Sequence, residues 1–416
     1  MNENWLFWWN RVREKLWVKP MIICLLSIAA AFIATLADNS GLDRWIPDIS
    51  TDSIEKLLDI VSSTNLVIAM FSVGSMVSAY ASAAGSATPR SFPLVVADDS
   101  SQYALSTFIG TFIFSVVALI ALKNGYYEKA GLFTLFVLTI FVFGLVILAF
   151  LRWVDNIARL GRIGNTIDKV EAAAANSFSQ RLAMPHLGGT PLHNEPRDGQ
   201  PVHLSKIGYL QKVDMVALQG ACDKAEITVS VLCLPGAFCT PNKPVARVHS
   251  AKPLDDEQMK VFVQAFSVAD QRTFDQDPRF GVVVLCEIAS RALSPAVNDP
   301  GTAIDVIGTL VRLFHHWATY EMDPEFKPPY PLVHVPDIHE EDLFDDAFTG
   351  IARDGAGAVE VGIRLQKAFE AMADFEDEPI RKACIRHSKL ALARSEKGLS
   401  LPQDLDAVRA AAAFAS

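Results

Sequence analysis

Ionisable side chains are nearly absent from four long stretches in the first 151 residues of this chain. Each stretch has about 20 predominantly apolar residues, the length that a helix needs to cross the hydrocarbon core of a bilayer. The stretches are Pro20–Ala37, Leu66–Gly85, Tyr103–Leu122 and Gly131–Leu151. Proton relays and voltage sensors need ionisable groups inside such spans, so the sequence disfavours both. It predicts an α-helical transmembrane domain of four spans, in which a pore lined by hydroxyl groups or backbone is possible.

Motifs of familiar catalytic and metal sites are also missing. The six cysteines form no CxxC pair, which argues against a zinc knuckle and against a disulfide framework. The chain has no nucleotide-binding Gly-rich loop, no HExxH motif and no kinase signature. A formal charge of −10 without a clustered basic face disfavours nucleic acid as a partner. We therefore expect a protein that is not an enzyme and that has no cofactor and no metal.

Basic residues flank the predicted spans unevenly, which indicates an orientation. Those before the first span and after the fourth are Arg11, Arg13, Lys15, Lys19, Arg152, Arg159, Arg162 and Lys169. The first loop is acidic and contains Asp38, Asp43, Asp48, Asp52 and Asp59. Because Lys and Arg are enriched in cytoplasmic loops, we expect both termini to lie in the cytosol. The segment Trp5–Lys19 is expected to lie on the membrane as an amphipathic helix.

Small residues recur at intervals of four in the second span, at Gly74, Ser78 and Ser82. Small residues at this spacing allow helix backbones to approach closely in lipid, so the pattern favours a helix–helix contact. A lining for a polar pathway is the alternative. Both interpretations suit a homo-oligomer that is embedded in a lipid bilayer.

After Arg152 the composition becomes that of an ordinary acidic globular protein. Residues 152–181 predict a helix that leaves the membrane and is broken near Gly161 and Gly164, and the Pro- and Gly-rich residues 184–203 predict a linker or surface loop. The predicted organisation is an N-terminal interfacial segment, a four-helix transmembrane domain, an exit helix with linker, and a cytosolic α+β domain that ends in helices. Their bounds are 1–19, 20–151, 152–206 and 207–416.

The start of the cytosolic domain alternates between strand and helix signals. GYLQKV, EITVSVL and VARVHS predict strands, while Asp214 predicts the N-cap of a helix over DMVALQGACDKA. The segment LDDEQMKVFVQAFSV predicts one further helix. These elements suit either a small barrel or a sheet packed on helices.

The stretch ALSPAVNDPGTAI separates two apolar runs and has a counterpart 22 residues earlier. Asp277-Pro278 and Asp299-Pro300 each predict a helix start, with the carboxylate as N-cap and proline at the first helical position. Helix N-termini attract anions, so a small anionic ligand or ion is a possible partner. Glu287 and Arg291 stand four apart and could pair. The candidate ligand-binding residues are Arg272, Asp275, Asp277, Glu287, Arg291, Asn298, Asp299 and Thr302.

Acidic residues concentrate in HVPDIHEEDLFDDAF. Carboxylates can bind a divalent metal, but these residues lack a recognised ligand spacing. Acids favour the first turn of a helix, so the segment predicts a solvated acidic helix start.

Several segments occur together in an order that resembles one known family. They are TPRSFPLVVADDSSQYALSTFIGTF, GYLQKVD, LPGAF, RTFDQDPRFG, RALSPAVNDPGTA and FDDAFTGI. This pattern is similar to that of the bacterial predicted membrane proteins grouped as domain of unknown function 2254. The resemblance covers nearly the whole chain and implies an inner-membrane protein of about four spans with a cytosolic domain. It implies no particular activity.

Two hypotheses for the function follow from these features. The first is an oligomeric, channel-like pore that the cytosolic domain controls, based on the small residues of the second span and the charge-free membrane interior. The second is a membrane-anchored sensor or scaffold whose cytosolic domain binds a small ligand or a protein partner.

Overall fold

The computed structural model describes residues 17–40, 47–86, 88–96, 99–159 and 162–415. The chain forms two compact units, Met1–Thr166 and Ile167–Ser416. Most of the predicted surface helix Trp5–Lys19 lies outside the described residues. The predicted domain bounds stay predictions.

The described part of the first unit is helical. Its helices are α1 (Val18–Leu36), α2 (Thr51–Ser86), α3 (Phe92–Val96), α4 (Asp99–Lys123) and α5 (Lys129–Arg159). Among the described residues, four candidate spans are long and apolar enough to cross a membrane by length and composition, as predicted. In chain order they correspond to α1, most of α2, α3 with α4, and α5.

Helix α2 begins at Thr51, well before the predicted start of the second span at Leu66. The placement of Asp52 and Asp59 in a loop is therefore wrong, because both lie within this helix. Ile54, Leu58 and Val61 recur at helical spacing and are buried, so an apolar face extends the helix toward its N-terminus. Lys56 also pairs with Asp52 one turn away at 2.7 Å, which suits an exposed helical turn.

Helix α4 is the centre of the first unit. Half of the residues in the most apolar part of its candidate span are buried, whereas only 17–28% are buried in the corresponding parts of the other three spans. It packs against α1, α2 and α5. The other three helices therefore have wide apolar surfaces that the described residues do not cover.

The start of α5 is capped from a distant part of the chain. The carboxylate of Asp38 accepts hydrogen bonds from the backbone N–H groups of Glu128 (3.0 Å) and Gly131 (2.5 Å). Nearby, the hydroxyl of Tyr127 donates to the carbonyl of Ala31 at 2.9 Å. These contacts join the end of α1 to the turn between α4 and α5.

The second unit contains two sheets. The strands are β1 (Gly189–Pro191), β2 (Gln200–Val202), β3 (Gly208–Val213), β4 (Thr228–Val231), β5 (Phe238–Cys239), β6 (Ala246–His249), β7 (Phe266–Ala269) and β8 (Tyr330–Val335). The five-stranded sheet has the order β1-β8-β4-β6-β2, and the three-stranded sheet has the order β5-β3-β7. In the larger sheet, β8 is parallel to both of its neighbours, and the remaining pairs are antiparallel.

Two expectations for this region were wrong. The predicted linker of residues 184–203 contributes strands β1 and β2, because Thr190 and Val202 find backbone partners in β8 and β6. The single helix predicted over LDDEQMKVFVQAFSV ends at Gln264, and β7 follows at once. Short paired strands of this kind are fixed by distant segments and have no local pattern that reveals them.

Helices α7 (Met215–Ala225) and α8 (Asp256–Gln264) pack with the sheets. The predicted cap of α7 is confirmed, since the Asp214 carboxylate accepts from the Ala217 N–H at 3.0 Å. Leu218 of α7 and Phe262 of α8 share one buried cluster with the apolar residues of the strands. A sheet packed on helices, and not a barrel, is therefore the arrangement found.

The remaining helices form the second part of this unit. They are α6 (Ile163–Ala183), whose first four residues belong to the first unit, α9 (Pro278–Ala292), α10 (Pro300–Ala318), α11 (Glu340–Asp354), α12 (Val359–Ala373), α13 (Glu378–Gly398) and α14 (Pro402–Ala411). The predicted helices after Asp277 and Asp299 are thus confirmed. Of the break predicted near Gly161 and Gly164, Gly161 lies outside the described residues, and Gly164 lies within α6. Phe314, Phe344, Phe348 and Phe369 form the buried aromatic centre, with ring centroids 4.4–5.8 Å apart in the contacting pairs. Helix α6 reaches α9 closely, because Gly281 leaves room for Ala174.

Candidate functional site

The loop between β7 and α9 holds a buried ion pair. Arg272 donates from Nε and from a terminal nitrogen to the two carboxylate oxygens of Asp277, at 2.7 and 2.9 Å. The side chain of Asp277 is only 2% exposed, and the Arg272 guanidinium lies 5.3 Å from the ring centroid of Phe280. Burial raises the pKa of Asp277, and pairing with Arg272 opposes this shift. The ion pair is bidentate, which is the geometry in which Arg binds carboxylates most strongly.

A tight turn over LPGAF packs against this carboxylate. Gly236 has a φ of +97° and approaches Asp277 so closely that a Cβ would lie 2.3 Å from the carboxylate. Its N–H donates to the carbonyl of Leu210 in β3 at 2.8 Å. Only glycine suits both the left-handed backbone and the close approach.

The same loop is tied to β3 by a side chain. The carbonyl oxygen of the Gln276 amide accepts from the Val213 N–H at 3.1 Å. The segments GYLQKVD, LPGAF and RTFDQDPRFG therefore converge around Asp277. Three of the segments that carry the family resemblance thus form one structural centre, which we call the Asp277 centre.

Arg181 at the end of α6 reaches this centre and was missed by the sequence reasoning. It is 8% exposed and donates to the Gln276 carbonyl at 3.3 Å. Burial lowers the pKa of its guanidinium to about 10, while the nearby carboxylates of Asp277 and Asp337 oppose the shift. A lone Arg near the end of a helix gives no sequence signal of this kind, because its burial depends on a loop 95 residues further along.

The two aspartates that precede prolines have different roles. Asp299 caps α10, accepting from the Thr302 N–H at 3.1 Å and from its hydroxyl at 2.6 Å, as predicted. These two hydrogen bonds lower the pKa of Asp299. The predicted cap by Asp277 is wrong, because its side chain makes no capping bond and is held by Arg272.

The eight candidate ligand-binding residues do not form one cluster. Arg272, Asp275 and Asp277 lie before α9, whereas Asn298, Asp299 and Thr302 follow its C-terminal end, where the Asp299 N–H donates to the Ala292 carbonyl. A helix of 15 residues separates the two groups, a length of about 22 Å. Glu287 is half-buried and Arg291 is exposed on this helix, and their pairing stays a prediction.

The stretch ALSPAVNDPGTAI is a compact turn. Asn298 has a left-handed φ of 51°, which Asn tolerates better than most residues. Its N–H donates to the Ser294 carbonyl at 2.8 Å. The Asp299 cap satisfies the Thr302 N–H at the start of α10.

The acidic segment before and within α11 is largely paired. Arg279 of α9 donates to Asp342 (2.9 Å) and Asp346 (2.7 Å). Arg386 of α13 donates to Asp345 at 2.8 Å. The prediction of acids in the first helical turn is confirmed. Asp342 and Asp345 are still about half exposed while paired, as a solvated segment requires, and Asp346 is 22% exposed. Among the described residues, no group of His, Cys, Asp or Glu is arranged to hold a metal.

The small residues of α2 face away from the chain's own helices. Gly74, Ser78 and Ser82 are exposed, and a Cβ on Gly74 would meet nothing within 4 Å. The opposite face, with Ala69, Ser72 and Met76, is buried. Among the described residues, no helix covers these small residues, and the predicted helix contact through them stays a prediction.

Comparisons with known proteins point to one family. A family model described as "Predicted membrane protein (DUF2254)" matches residues 13–371. An uncharacterised protein of Mycobacterium bovis and one of Mycobacterium tuberculosis are each 30% identical over 131 residues, which is 30% of this chain. The match spans about a quarter (24%) of the length of each of these relatives. No solved structure matches the chain.

Proposed function

Because the chain belongs to the DUF2254 family of predicted membrane proteins, we propose that its four apolar helices cross the bacterial inner membrane. The second unit is then cytosolic, together with both termini, which is supported by the basic residues around α1 and after α5. We assign to this protein the function of an oligomeric, channel-like pore that the cytosolic unit controls.

The outward face of α2 is the observation that carries this proposal. Gly74, Ser78 and Ser82 form a stripe of small residues on an exposed surface of a candidate span. Small residues of this spacing suit close contact with another helix in lipid. Because the chain's own helices do not cover the stripe, we assign this contact to a second copy of the chain.

The chemistry of such an assembly favours a passive pathway. Hydroxyl groups and backbone can line a pore without ionisable residues. Ser78 and Ser82 would supply hydroxyl groups along the contact between copies. The absence of charged residues from the interior of the predicted spans suits conduction without proton coupling.

Conductance of the purified full chain in planar bilayers tests the pore. We expect channel activity that Gly74→Leu reduces, because the larger side chain would separate the α2 helices of neighbouring copies. Gly144→Leu on α5 is the matched control, since a Cβ at Gly144 also meets nothing within 4 Å in one chain. Electrical silence across ions and voltages, or equal loss in both variants, would contradict the proposal.

A ligand-binding sensor is the second candidate, and Arg181 supports it. Among the residues that the structure describes, its nine-tenths buried guanidinium makes one hydrogen bond, to the Gln276 carbonyl. Arg has five N–H donors, and a buried charge needs partners to offset its desolvation. The carboxylates of Asp277 and Asp337 supply only part of this compensation, because the pKa of Arg181 is still lowered. A small oxyanion would supply them. Arg272 is less suited to this role, since Asp277 already occupies its guanidinium.

Thermal unfolding of the full chain with and without inorganic phosphate tests this second candidate. Phosphate should raise the melting temperature of the wild type and leave that of Arg181→Leu unchanged. Arg353→Leu is the control, because Arg353 lies on the surface and pairs with its neighbour Asp354. A wild-type protein that phosphate does not stabilise would remove the support for a sensor of oxyanions.

A further inference from the structure

The turn that packs against Asp277 lies between two cysteines. Cys233 directly precedes the LPGAF segment, and Cys239 directly follows it. Within the turn, the Ala237 N–H donates to the Leu234 carbonyl at 3.0 Å. A bond of this kind reverses the chain direction, so the residues on either side of the turn come close together.

The side chains of these two cysteines are in contact. A hydrogen bond joins the thiols of Cys233 and Cys239. Both residues belong to the apolar cluster of the second unit, in which Cys239 is buried and Cys233 is partly exposed. Both are present as free thiols. Sulfur atoms in contact need only a small movement to reach the bond length of a disulfide, about 2 Å.

Backbone hydrogen bonds hold the chain on both sides of the turn. Cys239 lies in β5 and pairs with Gly208 of β3. The N–H of Leu232, next to Cys233, donates to the Val245 carbonyl at 2.8 Å. The backbone therefore keeps both cysteines beside the turn.

The contact makes the two thiols unequal. The hydrogen bond from Cys233 is the main cause that lowers the pKa of Cys239 to about 7, and the Leu210 N–H adds to this effect against the opposing effect of burial. The same hydrogen bond, together with burial, raises the pKa of Cys233. Because the thiolate is the nucleophilic form of cysteine, Cys239 is the reactive member of the pair near neutral pH.

The other three cysteines of the second unit are of a different kind. Burial raises the pKa of Cys222 to about 11, that of Cys384 to about 12, and that of Cys286. Buried thiols of this type are inert. A thiol of low pKa beside a second cysteine is instead the arrangement found in redox sensors. Disulfides that form in the cytosol are mostly transient and serve catalysis or redox sensing.

We propose that Cys233 and Cys239 form a redox-modification site, at which hydrogen peroxide converts the two thiols into a disulfide within one chain. The Cys239 thiolate attacks one peroxide oxygen, the O–O bond breaks, and the leaving hydroxide takes the proton that Cys239 had released. Cys239 is then a sulfenic acid. The Cys233 sulfur attacks the sulfenic sulfur, the S–S bond forms, the S–O bond breaks, and the hydroxyl group leaves as water with the Cys233 proton. The thiols lose two electrons in total, and one peroxide is reduced to two waters.

The disulfide closes a ring that contains the whole turn. Cys233 is partly exposed, which gives a molecule as small as hydrogen peroxide access to the pair. Gly236 of the ring packs against the Asp277 carboxylate, so the redox state of the pair acts directly on the Asp277 centre. The inference rests neither on a pore nor on the binding of an oxyanion.

Differential alkylation of the full chain in detergent at pH 7 tests the site. After brief exposure to hydrogen peroxide, free thiols are blocked with N-ethylmaleimide in denaturant, disulfides are reduced, and the thiols released are labelled with iodoacetamide. Cys233 and Cys239 should be labelled together, on the order of tenfold to a hundredfold faster than Cys222, because the rate follows the thiolate fraction. Cys222 is the matched control, since it is completely buried in the same apolar cluster.

Serine variants separate the two steps. Cys239→Ser should abolish the labelling of Cys233, because the attacking thiolate is gone. Cys233→Ser should leave Cys239 as a sulfenic acid that dimedone traps, because the second thiol is missing.

Three results with the wild type would overturn the inference, so it stays testable even if the serine variants do not fold. The first is no label on Cys233 and Cys239 after an exposure that oxidises free cysteine in a parallel sample. The second is labelling of the pair and of Cys222 at equal rates. The third is a disulfide that joins two chains, which a non-reducing gel shows as a dimer.

Discussion

Asp277 directs both carboxylate oxygens to Arg272, whereas Asp299 directs its two oxygens to Thr302. The first carboxylate is buried and the second is exposed at a helix start. Loss of a buried partner leaves an uncompensated charge, while loss of a cap removes little more than one hydrogen bond. The two aspartates should therefore differ in what their removal costs.

We expect Asp277→Ala to destabilise the chain by about 3–5 kcal/mol, since it leaves the mostly buried Arg272 unpaired. Asp299→Ala should cost about 1 kcal/mol, the usual value of an N-cap. The melting temperature of the full chain in detergent measures both. Equal shifts for the two variants would show that the Asp277 centre contributes no more than a surface cap.

His387 should make the stability of the second unit depend on pH. Its ring is 1% exposed, contacts three phenylalanine rings, and lies beside Asp345, Arg386 and Arg394. Burial is the main cause that lowers its pKa to about 4, and Arg386 adds to the effect. The unfolded chain takes up a proton near pH 6.5, where the folded chain does not. Stability is thus fully present above pH 6.5 and falls as the pH drops toward 4, by on the order of 3 kcal/mol.

Thermal unfolding of wild type and His387→Gln between pH 7 and pH 4 checks this dependence. Glutamine does not titrate, so the variant should lose this part of the pH slope even if it is less stable throughout. Parallel curves for the two proteins would assign the slope to other groups.

Helices that begin at a local start signal or contain a long apolar run were the elements that the sequence predicted well. Four hydrophobic runs, the Asp214 cap and the helices after Pro278 and Pro300 depend on local patterns, and all were found. Strands β1 and β2 were missed because their partners lie far along the chain. The Asp277 centre was recognised only in part, since Gly236 and Arg181 gave no local signal of their contact with this loop.

The capping of α5 by Asp38 gives a prediction at the level of elements. A Cβ at Gly131 would lie 2.5 Å from an oxygen of the Asp38 carboxylate, so Gly131→Ala should displace the cap. Gly144→Ala in the same helix meets nothing within 4 Å and should be neutral or stabilising. Melting temperatures of the two variants in detergent decide the matter. A Gly131→Ala protein as stable as Gly144→Ala would mean that the Asp38 contact is dispensable.

At the scale of the whole molecule, the chain separates into two compact units near Thr166. The second unit has its own sheets, a buried apolar cluster and an aromatic centre. We expect residues 163–416, which include all of α6, to fold without the apolar helices. Cooperative thermal unfolding of this fragment, followed by circular dichroism in detergent-free buffer, measures this. An insoluble fragment, or one that melts without a transition, would contradict it.

The position of β8 has a consequence for the order of folding. This strand lies between β1 and β4 in the sheet but follows β4 by about a hundred residues in the chain. A ribosome must therefore complete Val335 before β1 can pair and before the open edge of β4 is covered. Pairing across such long loops is slow, and an unpaired edge is prone to aggregation. Chains that terminate before Tyr330 should thus be recognised by chaperones or proteases, even though most of the sheet has been synthesised.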